Sequence, residues 1–402
     1  MTQTPYTIAV PDEKLQQLRA KLDLTIFPDE LDDAGWQYGA PLADVKRLVA
    51  YWKSGYDWRK HEDDFNKELP QFTRSIDVKD HGTLEIHYIH KKSVVANAIP
   101  LLFVHGWPGS FIEVRKVLPL LNASSANHPS FHVVALGLPG YGFSEAPKKK
   151  GFGIQQYAEV GHKLMLALGY NQYVTQGGDW GGLITRKISH DYGGQCVKAW
   201  HTNAPLFGQR PHPIYEPISY LTHAITPYTA AEKESLQRSK WFAENGTGYQ
   251  AEQATQPQTI GYSLADSPVG LLAWIYEKLV VWTDEYTWTD DEILTWISIY
   301  WFSRAGPAAS VRIYYEVAQA GGVWTVPSPK VPTGFSYFPK ELGSLPRSWI
   351  RKDHKVVFES EHERGGHFAA FERPEDLVGD LRNMFGKGGG AFGVVPGKNG
   401  YA

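Results

Sequence analysis

Hydrophobic positions in the central part of the chain alternate between two patterns. Continuous apolar runs occur in IPLLFV, FHVVALG and YVTQG, and each ends in a glycine-containing turn. Runs without polar alternation are typical of strands that are covered on both faces, as in a parallel sheet. Helical spacing appears between the runs, for example in YAEVGHKLMLALG. The repeated order of strand, glycine turn and helix predicts an α/β fold, with a mostly parallel central sheet and helices on both faces.

The beginning of the chain has a different pattern. DEKLQQLRAKLDL places Leu15, Leu18 and Leu22 on one face of a predicted helix. FTRSIDV and TLEIHYIHK then predict two strands of a hairpin, joined by a turn at residues 80–82. We therefore assign residues 1–95 to an N-terminal helical segment that also contains the first strands.

The pattern changes again after the third apolar run. Trp and Tyr become frequent, and SPVGLLAWIYEKLVVW and DEILTWISIYWFSRA have helical periodicity. Strand patterns return in KVPTGFSYFP and HKVVFESEHERGGHF. A helical block inserted into an α/β sheet is typical of a lid over a binding site. The predicted organisation is a core at 96–205 and 326–385, a helical lid at 206–325, and a loosely held glycine-rich tail at 386–402.

The stretch GGDWGG places one acidic side chain, Asp179, between two pairs of glycines at the end of an apolar run. Glycine is required where a bend is too tight for a Cβ atom. In an α/β hydrolase the nucleophile stands on such a turn between a strand and a helix. Aspartate at this position excludes a serine-type acyl transfer and predicts a carboxylate nucleophile. Taken alone, the same residues would also fit an aspartate that caps a helix after a glycine loop.

A carboxylate that attacks carbon forms an alkyl-enzyme ester, and the hydrolysis of that ester needs further groups. These are a base, an acid that orients the base, and donors for the oxyanion. His367, in ERGGHFAAFE, has the late position expected of the base. Glu341, in VPTGFSYFPKEL, is the predicted acid, and Asp353, in WIRKDHKVV, is the alternative. The predicted oxyanion donors are the backbone N–H groups of Trp107, in HGWPGS, and Trp180.

With these residues in place, the chain resembles the epoxide hydrolases of the α/β-hydrolase fold, in particular the microsomal-type branch and its soluble fungal members. The resemblance covers nearly the whole chain. It depends on HGWPGS, GGDWGG, GYQAEQATQPQTIGYSLADSPVGLLAWIYEK, RIYYE, VPTGFSYFPKE and RGGHFAAFE. It implies that Asp179 is the nucleophile, His367 the general base and Glu341 the acid that orients the base.

The resemblance also implies two lid tyrosines that donate hydrogen bonds to the epoxide oxygen. Tyr249 matches the first, and Tyr314, in RIYYE, matches the second. The adjacent Tyr315 is the alternative, although on a helix it would point about 100° away from Tyr314. The family reaction converts a small hydrophobic epoxide and water into a vicinal diol, needs neither a metal nor an organic cofactor, and is often performed by homodimers that pair through the lid.

Composition and charge limit the partners and the compartment. A formal net charge of -3 gives no electrostatic basis for binding nucleic acid or an anionic membrane. Cys196 is the single cysteine, which excludes an intramolecular disulfide and a cysteine-based zinc site. The opening MTQTPYTIAVPDEK lacks the pattern of a signal peptide, and no apolar run approaches the roughly 20 residues that span a bilayer. We therefore expect a soluble, cytoplasmic protein without membrane insertion.

Two other functions fit part of the pattern. A haloalkane dehalogenase also uses an aspartate at this turn, and a tryptophan directly after it binds the halide through its indole N–H. An epoxide oxygen requires O–H donors instead, so the Tyr249 and Tyr314 motifs favour the epoxide. A non-catalytic member of the fold that binds a hydrophobic ligand would be expected to have an incomplete triad or a blocked pocket.

Overall fold

A computed structural model describes residues 3–206, 208 and 210–402. The described residues form one nine-stranded sheet surrounded by helices. In chain order the strands are β1 (Thr4–Pro5), β2 (Gln71–Val78), β3 (Gly82–Lys91), β4 (Ile99–Val104), β5 (Phe131–Leu136), β6 (Tyr173–Gly177), β7 (Val197–Thr202), β8 (Pro332–Tyr337) and β9 (Lys355–Glu361).

The α-helices fall into an N-terminal group, a group between β3 and β7, a group between β7 and β8, and a C-terminal group. They are α1 (Asp12–Asp23), α2 (Leu42–Ser54), α3 (Trp58–Glu68), α4 (Val114–Asn122), α5 (Ile154–Ala167), α6 (Asp179–Asp191), α7 (Pro217–Ile225), α8 (Ala230–Asn245), α9 (Gly248–Thr255), α10 (Pro257–Asp266), α11 (Pro268–Val281), α12 (Asp290–Trp301), α13 (Arg312–Gln319), α14 (Arg347–Arg351), α15 (Ala369–Glu372) and α16 (Pro374–Phe385). Short 3-10 turns occupy Gly35–Tyr38, Phe111–Glu113, Ala309–Val311 and Val323–Thr325.

The strand order across the sheet is β1-β2-β3-β5-β4-β6-β7-β8-β9. Pairing is parallel from β5 to β9 and antiparallel from β1 through β3 to β5. Because β5 and β6 lie on opposite sides of β4, right-handed crossovers place α4 on one face and α5 and α6 on the other. The predicted α/β fold with a mostly parallel sheet is confirmed.

Burial explains why the central strands have continuous apolar sequences. All six residues of β4, all six of β5 and all five of β6 are buried, since helices cover both faces of the sheet. β7 has no apolar run that would predict a strand, because its sequence VKAWHT is interrupted by polar residues. Two of these, His201 and Thr202, are buried and form hydrogen bonds, to Ser336 Oγ at 3.1 Å and to the Gly177 carbonyl at 2.7 Å.

The helices α7 to α13, which we call the lid, lie between β7 and β8. The N-terminal helices support one side of the lid through α12. Tyr51, in α2, donates a hydrogen bond to Asp291 at 2.9 Å, and the Tyr56 hydroxyl lies 3.1 Å from the Thr295 hydroxyl. The N-terminal segment therefore contributes to the position of the lid as well as to the sheet.

The C-terminal segment 386–402 differs from the loosely held tail expected from its glycine content. The Ser130 backbone N–H donates to the Gly400 carbonyl at 2.8 Å, and the Gly400 N–H donates to the Asn97 carbonyl at 3.0 Å. Ala391 and Val395 are buried against the core. The expectation is wrong because the glycines adopt left-handed turns, including Gly400 at φ 80°, that fold the segment back onto the domain.

Within the described ranges, the helices include none with the length and apolar character needed to cross a bilayer.

Candidate active site

The predicted site residues meet at the carboxyl edge of the parallel strands. Asp179 follows β6, Trp107 follows β4, Glu341 follows β8 and His367 follows β9. In open α/β sheets, ligands bind outside the carboxyl ends of the strands. The topology thus brings together residues that are separated by up to 260 positions in sequence, counting from 107 to 367.

The turn that carries Asp179 is tight and requires the glycines around it. Asp179 has φ 50°, in the left-handed region that non-glycine residues rarely adopt. A Cβ atom at Gly181 would lie 1.9 Å from the Val104 carbonyl oxygen, and one at Gly106 would lie 2.3 Å from Asp179 Oδ1. The glycines therefore allow α6 and the β4 turn to approach the carboxylate closely.

We expect Gly181→Ala to destabilise the protein by about 3 kcal/mol or more, because the added methyl group would clash with backbone atoms that cannot move away. The matched control is Gly379→Ala within α16, where a Cβ would meet nothing within 4 Å. That change should be neutral or stabilise by up to about 1 kcal/mol. Chemical denaturation measures both free energies of unfolding. Equal values for the two variants would contradict this account of the turn.

Asp179, His367 and Glu341 form a connected triad. His367 Nε2 lies 3.5 Å from Asp179 Oδ2, and His367 Nδ1 lies 2.6 Å from Glu341 Oε1. The Leu342 backbone N–H donates to the same Glu341 oxygen at 2.7 Å. The alternative acid, Asp353, is paired with Lys352 Nζ at 3.2 Å. The structure therefore places Glu341 against His367.

The charge around His367 sets its protonation state. Burial by itself lowers the pKa of His367, but the Glu341 and Asp179 carboxylates outweigh burial and raise this pKa well above the usual value. His367 is therefore an imidazolium held between the Glu341 and Asp179 carboxylates. The His367 backbone N–H also donates to the Trp282 carbonyl, directly after α11, at 2.8 Å.

Backbone donors for an oxyanion lie beside the carboxylate. The Trp107 N–H donates to Asp179 Oδ1 at 2.7 Å. The Trp180 N–H belongs to the first turn of α6, where N–H groups have no acceptor within the helix. The Trp107 turn is fixed from the lid, since Trp296 Nε1 donates to the Pro108 carbonyl at 2.6 Å and the Tyr300 hydroxyl donates to the Gly109 carbonyl at 2.7 Å.

Two lid tyrosines are buried above this turn. The rings of Tyr249, in α9, and Tyr314, in α13, lie 5.8 Å apart at 82°. Both contact the Trp107 ring, with centroids at 5.2 and 5.6 Å, and Tyr314 also contacts Trp180 at 4.8 Å. Tyr315 is only half-buried. Burial, with a further contribution from the Asp179 charge, raises the pKa of both Tyr249 and Tyr314, so both hydroxyls keep their protons.

A cavity of about 10 Å³ is lined by Asp179 and His367. Besides Asp179 and His367, its polar lining consists of Glu113, Gln176 and Asn203. The sequence analysis did not identify these three residues. Only Glu113 had a sequence signal, since it follows HGWPGS closely enough to lie beside the same turn. The described residues contain no group of three His, Cys, Asp or Glu side chains arranged to hold a metal ion.

Comparison with known proteins places this chain in a family. The family described as "Epoxide hydrolase N terminus" matches residues 3–114, and the family described as "alpha/beta hydrolase fold" matches residues 99–300. Epoxide hydrolase 1 of Sus scrofa is 34% identical over 95% of this chain and 88% of its own length.

Two solved structures cover nearly the same extent. The Aspergillus niger epoxide hydrolase has a TM-score of 0.81 and 34% identity, covering 95% of both chains. The juvenile hormone epoxide hydrolase of Bombyx mori has a TM-score of 0.83 and 29% identity, covering 94% of this chain and 93% of its own. The chain therefore belongs to the epoxide hydrolases of the α/β-hydrolase fold.

Proposed function

We propose that the protein converts an epoxide and water into a vicinal diol through a covalent ester on Asp179. One observation supports this mechanism above the others, namely the double role of Trp107. Its backbone N–H donates to the Asp179 carboxylate, while its ring contacts both Tyr249 and Tyr314. The proposed nucleophile and the two O–H donors thus all lie against one tryptophan, and the Asp179 charge acts on both phenols.

The first step is attack by the Asp179 carboxylate on a ring carbon of the epoxide. A C–O bond forms to Asp179 and the opposite C–O bond of the ring breaks. The released oxygen would be an alkoxide, a poor leaving group at neutral pH. Tyr249 and Tyr314 stabilise the developing charge by hydrogen bonds, and one of them transfers its proton to the oxygen.

Ester formation also prepares the base. It removes the negative charge of Asp179, one of the two carboxylates that raise the pKa of His367. The imidazolium can then give up its proton, which replaces the one that the tyrosine lost. His367 is left neutral, with Glu341 still bound to Nδ1 at 2.6 Å.

The second step hydrolyses the ester. Neutral His367 takes one proton from a water molecule, whose oxygen bonds to the carboxyl carbon of Asp179. The N–H groups of Trp107 and Trp180 stabilise the oxyanion, and Glu341 stabilises the imidazolium. The bond between that carbon and the ester oxygen, which came from the Asp179 carboxylate, then breaks. The released alkoxide takes the proton from His367 and leaves as the diol, and Asp179 retains an oxygen atom from water. The other proton of that water passes from the Asp179 carboxyl group to His367, which restores the carboxylate and the imidazolium.

The side chains above the nucleophile indicate the class of substrate. Trp107, Trp180 and Trp282 surround the two tyrosines with apolar surface. We therefore propose a small hydrophobic epoxide. Haloalkane dehalogenation remains the second candidate, because Trp180 directly follows the nucleophile, but the two phenolic donors favour an oxygen leaving group. Turnover of styrene oxide without turnover of a bromoalkane of similar size is the expected result.

A single turnover in heavy-oxygen water tests the covalent step. With enzyme in excess over styrene oxide, we expect one label in the peptide that contains Asp179 and none in the first diol released. Repeated turnovers should then transfer label to the diol. Enzyme kept in heavy-oxygen water without epoxide is the control and should stay unlabelled. Label that enters the first diol directly, with none in the Asp179 peptide, would rule out the ester.

A further inference from the structure

The cavity beside the nucleophile has the size and polarity of a site for one water molecule. A volume of about 10 Å³ is close to the smallest that accommodates a single water. Its lining combines Asp179 and His367 with Glu113, Gln176 and Asn203. Buried waters usually make about three hydrogen bonds, and this lining supplies enough polar groups.

The position of the Glu113 carboxyl group is fixed by the turn after β4. Glu113 ends a 3-10 turn, and its N–H donates to the Ser110 carbonyl at 3.1 Å. A Cβ atom at Gly109 would lie 1.8 Å from Glu113 Oε1. The carboxyl group therefore occupies space that a glycine at position 109 leaves open, and Glu113 is among the residues that line the cavity.

Gln176 provides an independent indication of a ligand. Its Nε2 donates to Asn203 Oδ1 at 2.8 Å, which fixes the orientation of the amide, and both residues line the cavity. Gln176 is 1% exposed, yet its Oε1 has no hydrogen-bond partner among the described residues. A buried acceptor without a partner destabilises the folded protein, so a water that donates to it would stabilise the site.

We infer that Glu113 is a positioning residue that holds the hydrolytic water against Asp179 and His367. The inference rests on the proposed function. It assigns the hydrolytic water a location and a second residue, besides the base His367, that binds it. In the hydrolysis step Glu113 neither gains nor loses a proton. The water gives one proton to His367 Nε2 and its oxygen to Asp179, while Glu113 and Gln176 fix its orientation.

The protonation state of Glu113 suits this role. Burial raises its pKa to about 8, with His367 lowering the value and Asp179 raising it, and the backbone of Gly106 and Ser110 lowering it further. The Glu113 charge in turn contributes to raising the pKa of the Tyr300 phenol, whose hydroxyl donates to the Gly109 carbonyl. Below pH 8 the group is therefore mostly a neutral acid, which can donate one hydrogen bond to water and accept another.

The test separates ester formation from hydrolysis by rapid mixing with styrene oxide and intact-protein mass measurement. Glu113→Met removes both hydrogen-bonding atoms at similar length. We expect hydrolysis to slow about 100-fold, while ester formation stays within about threefold. Glu113→Gln keeps a donor and an acceptor and should restore hydrolysis to within about tenfold of the native rate. Glu145→Met, at a half-buried glutamate outside the cavity, is the matched control and should behave as the native enzyme.

A second variant keeps the inference testable if Glu113→Met does not fold. Gln176→Met removes the unpaired acceptor and should slow hydrolysis about tenfold without slowing ester formation. Native hydrolysis rates in the folded Glu113 and Gln176 variants would overturn the inference, and so would equal slowing of both steps. Absence of ester even in a His367→Gln variant would instead refute the proposed function, so the two failures are distinguishable.

Discussion

Replacement of His367 by glutamine should leave an enzyme that captures one equivalent of epoxide and releases almost no diol. Ester formation needs Asp179 and the two tyrosines, which this change does not alter. Hydrolysis needs a base at Nε2, and its loss should slow this step on the order of 10⁴-fold. Intact-protein mass after mixing with styrene oxide should rise by the mass of one epoxide, and the added mass should lie in the peptide that contains Asp179.

His362→Gln is the matched control for this experiment. His362 precedes the same loop and is bound to Asp380 at 2.7 Å, outside the triad. This variant should retain turnover and accumulate no ester. A further variant, His367→Gln combined with Asp179→Ala, should show no mass increase. Normal steady-state turnover by His367→Gln would exclude the role assigned to the histidine.

The double change Tyr249→Phe and Tyr314→Phe should stop the reaction before the ester forms. Each hydroxyl supplies one donor to the departing oxygen, and loss of one donor of this kind costs about 100-fold or more. Loss of both should slow ester formation on the order of 10⁴-fold. The rate of mass increase in a His367→Gln background measures this step alone.

Tyr315→Phe is the matched control for the tyrosine variants, because Tyr315 neighbours Tyr314 on α13 but is only half-buried. Its ester formation should equal that of the parent. A large loss with Tyr315→Phe, combined with none for Tyr314→Phe, would transfer the donor role to the neighbouring residue. Rapid ester formation by the double variant would exclude phenolic assistance altogether.

The sequence predicted the parts of the fold that local physics determines. The apolar runs of β4, β5 and β6 follow from burial on both faces, and the glycines around Asp179 follow from a backbone too close for Cβ atoms. It did not predict β7, where the burial of His201 and Thr202 depends on partners elsewhere in the chain. Pairing of polar groups across the fold leaves no periodic signal.

The site residues likewise divide into those that the local sequence predicts and those that depend on packing between distant parts of the chain. The order of Asp179, Glu341 and His367 could be read from turns at strand ends, because the carboxyl ends of parallel strands share one edge. Tyr249 and Tyr314 came from resemblance alone, since their approach depends on how α9 and α13 pack. Gln176 lies within an apolar strand, and only the structure shows that it lines the cavity beside Asp179 and that its amide oxygen lacks a hydrogen-bond partner there.

The hydrogen bonds from Trp296 and Tyr300 to the turn after β4 have a consequence for the energy of catalysis. They hold the Pro108 and Gly109 carbonyls, in the same turn as the Trp107 N–H, when the protein folds. In the proposed mechanism, the Trp107 dipole that stabilises the tetrahedral intermediate is thus oriented before any substrate binds. Because folding already orients this dipole, it does not have to reorient during the reaction, and its reorientation adds nothing to the activation free energy of each turnover.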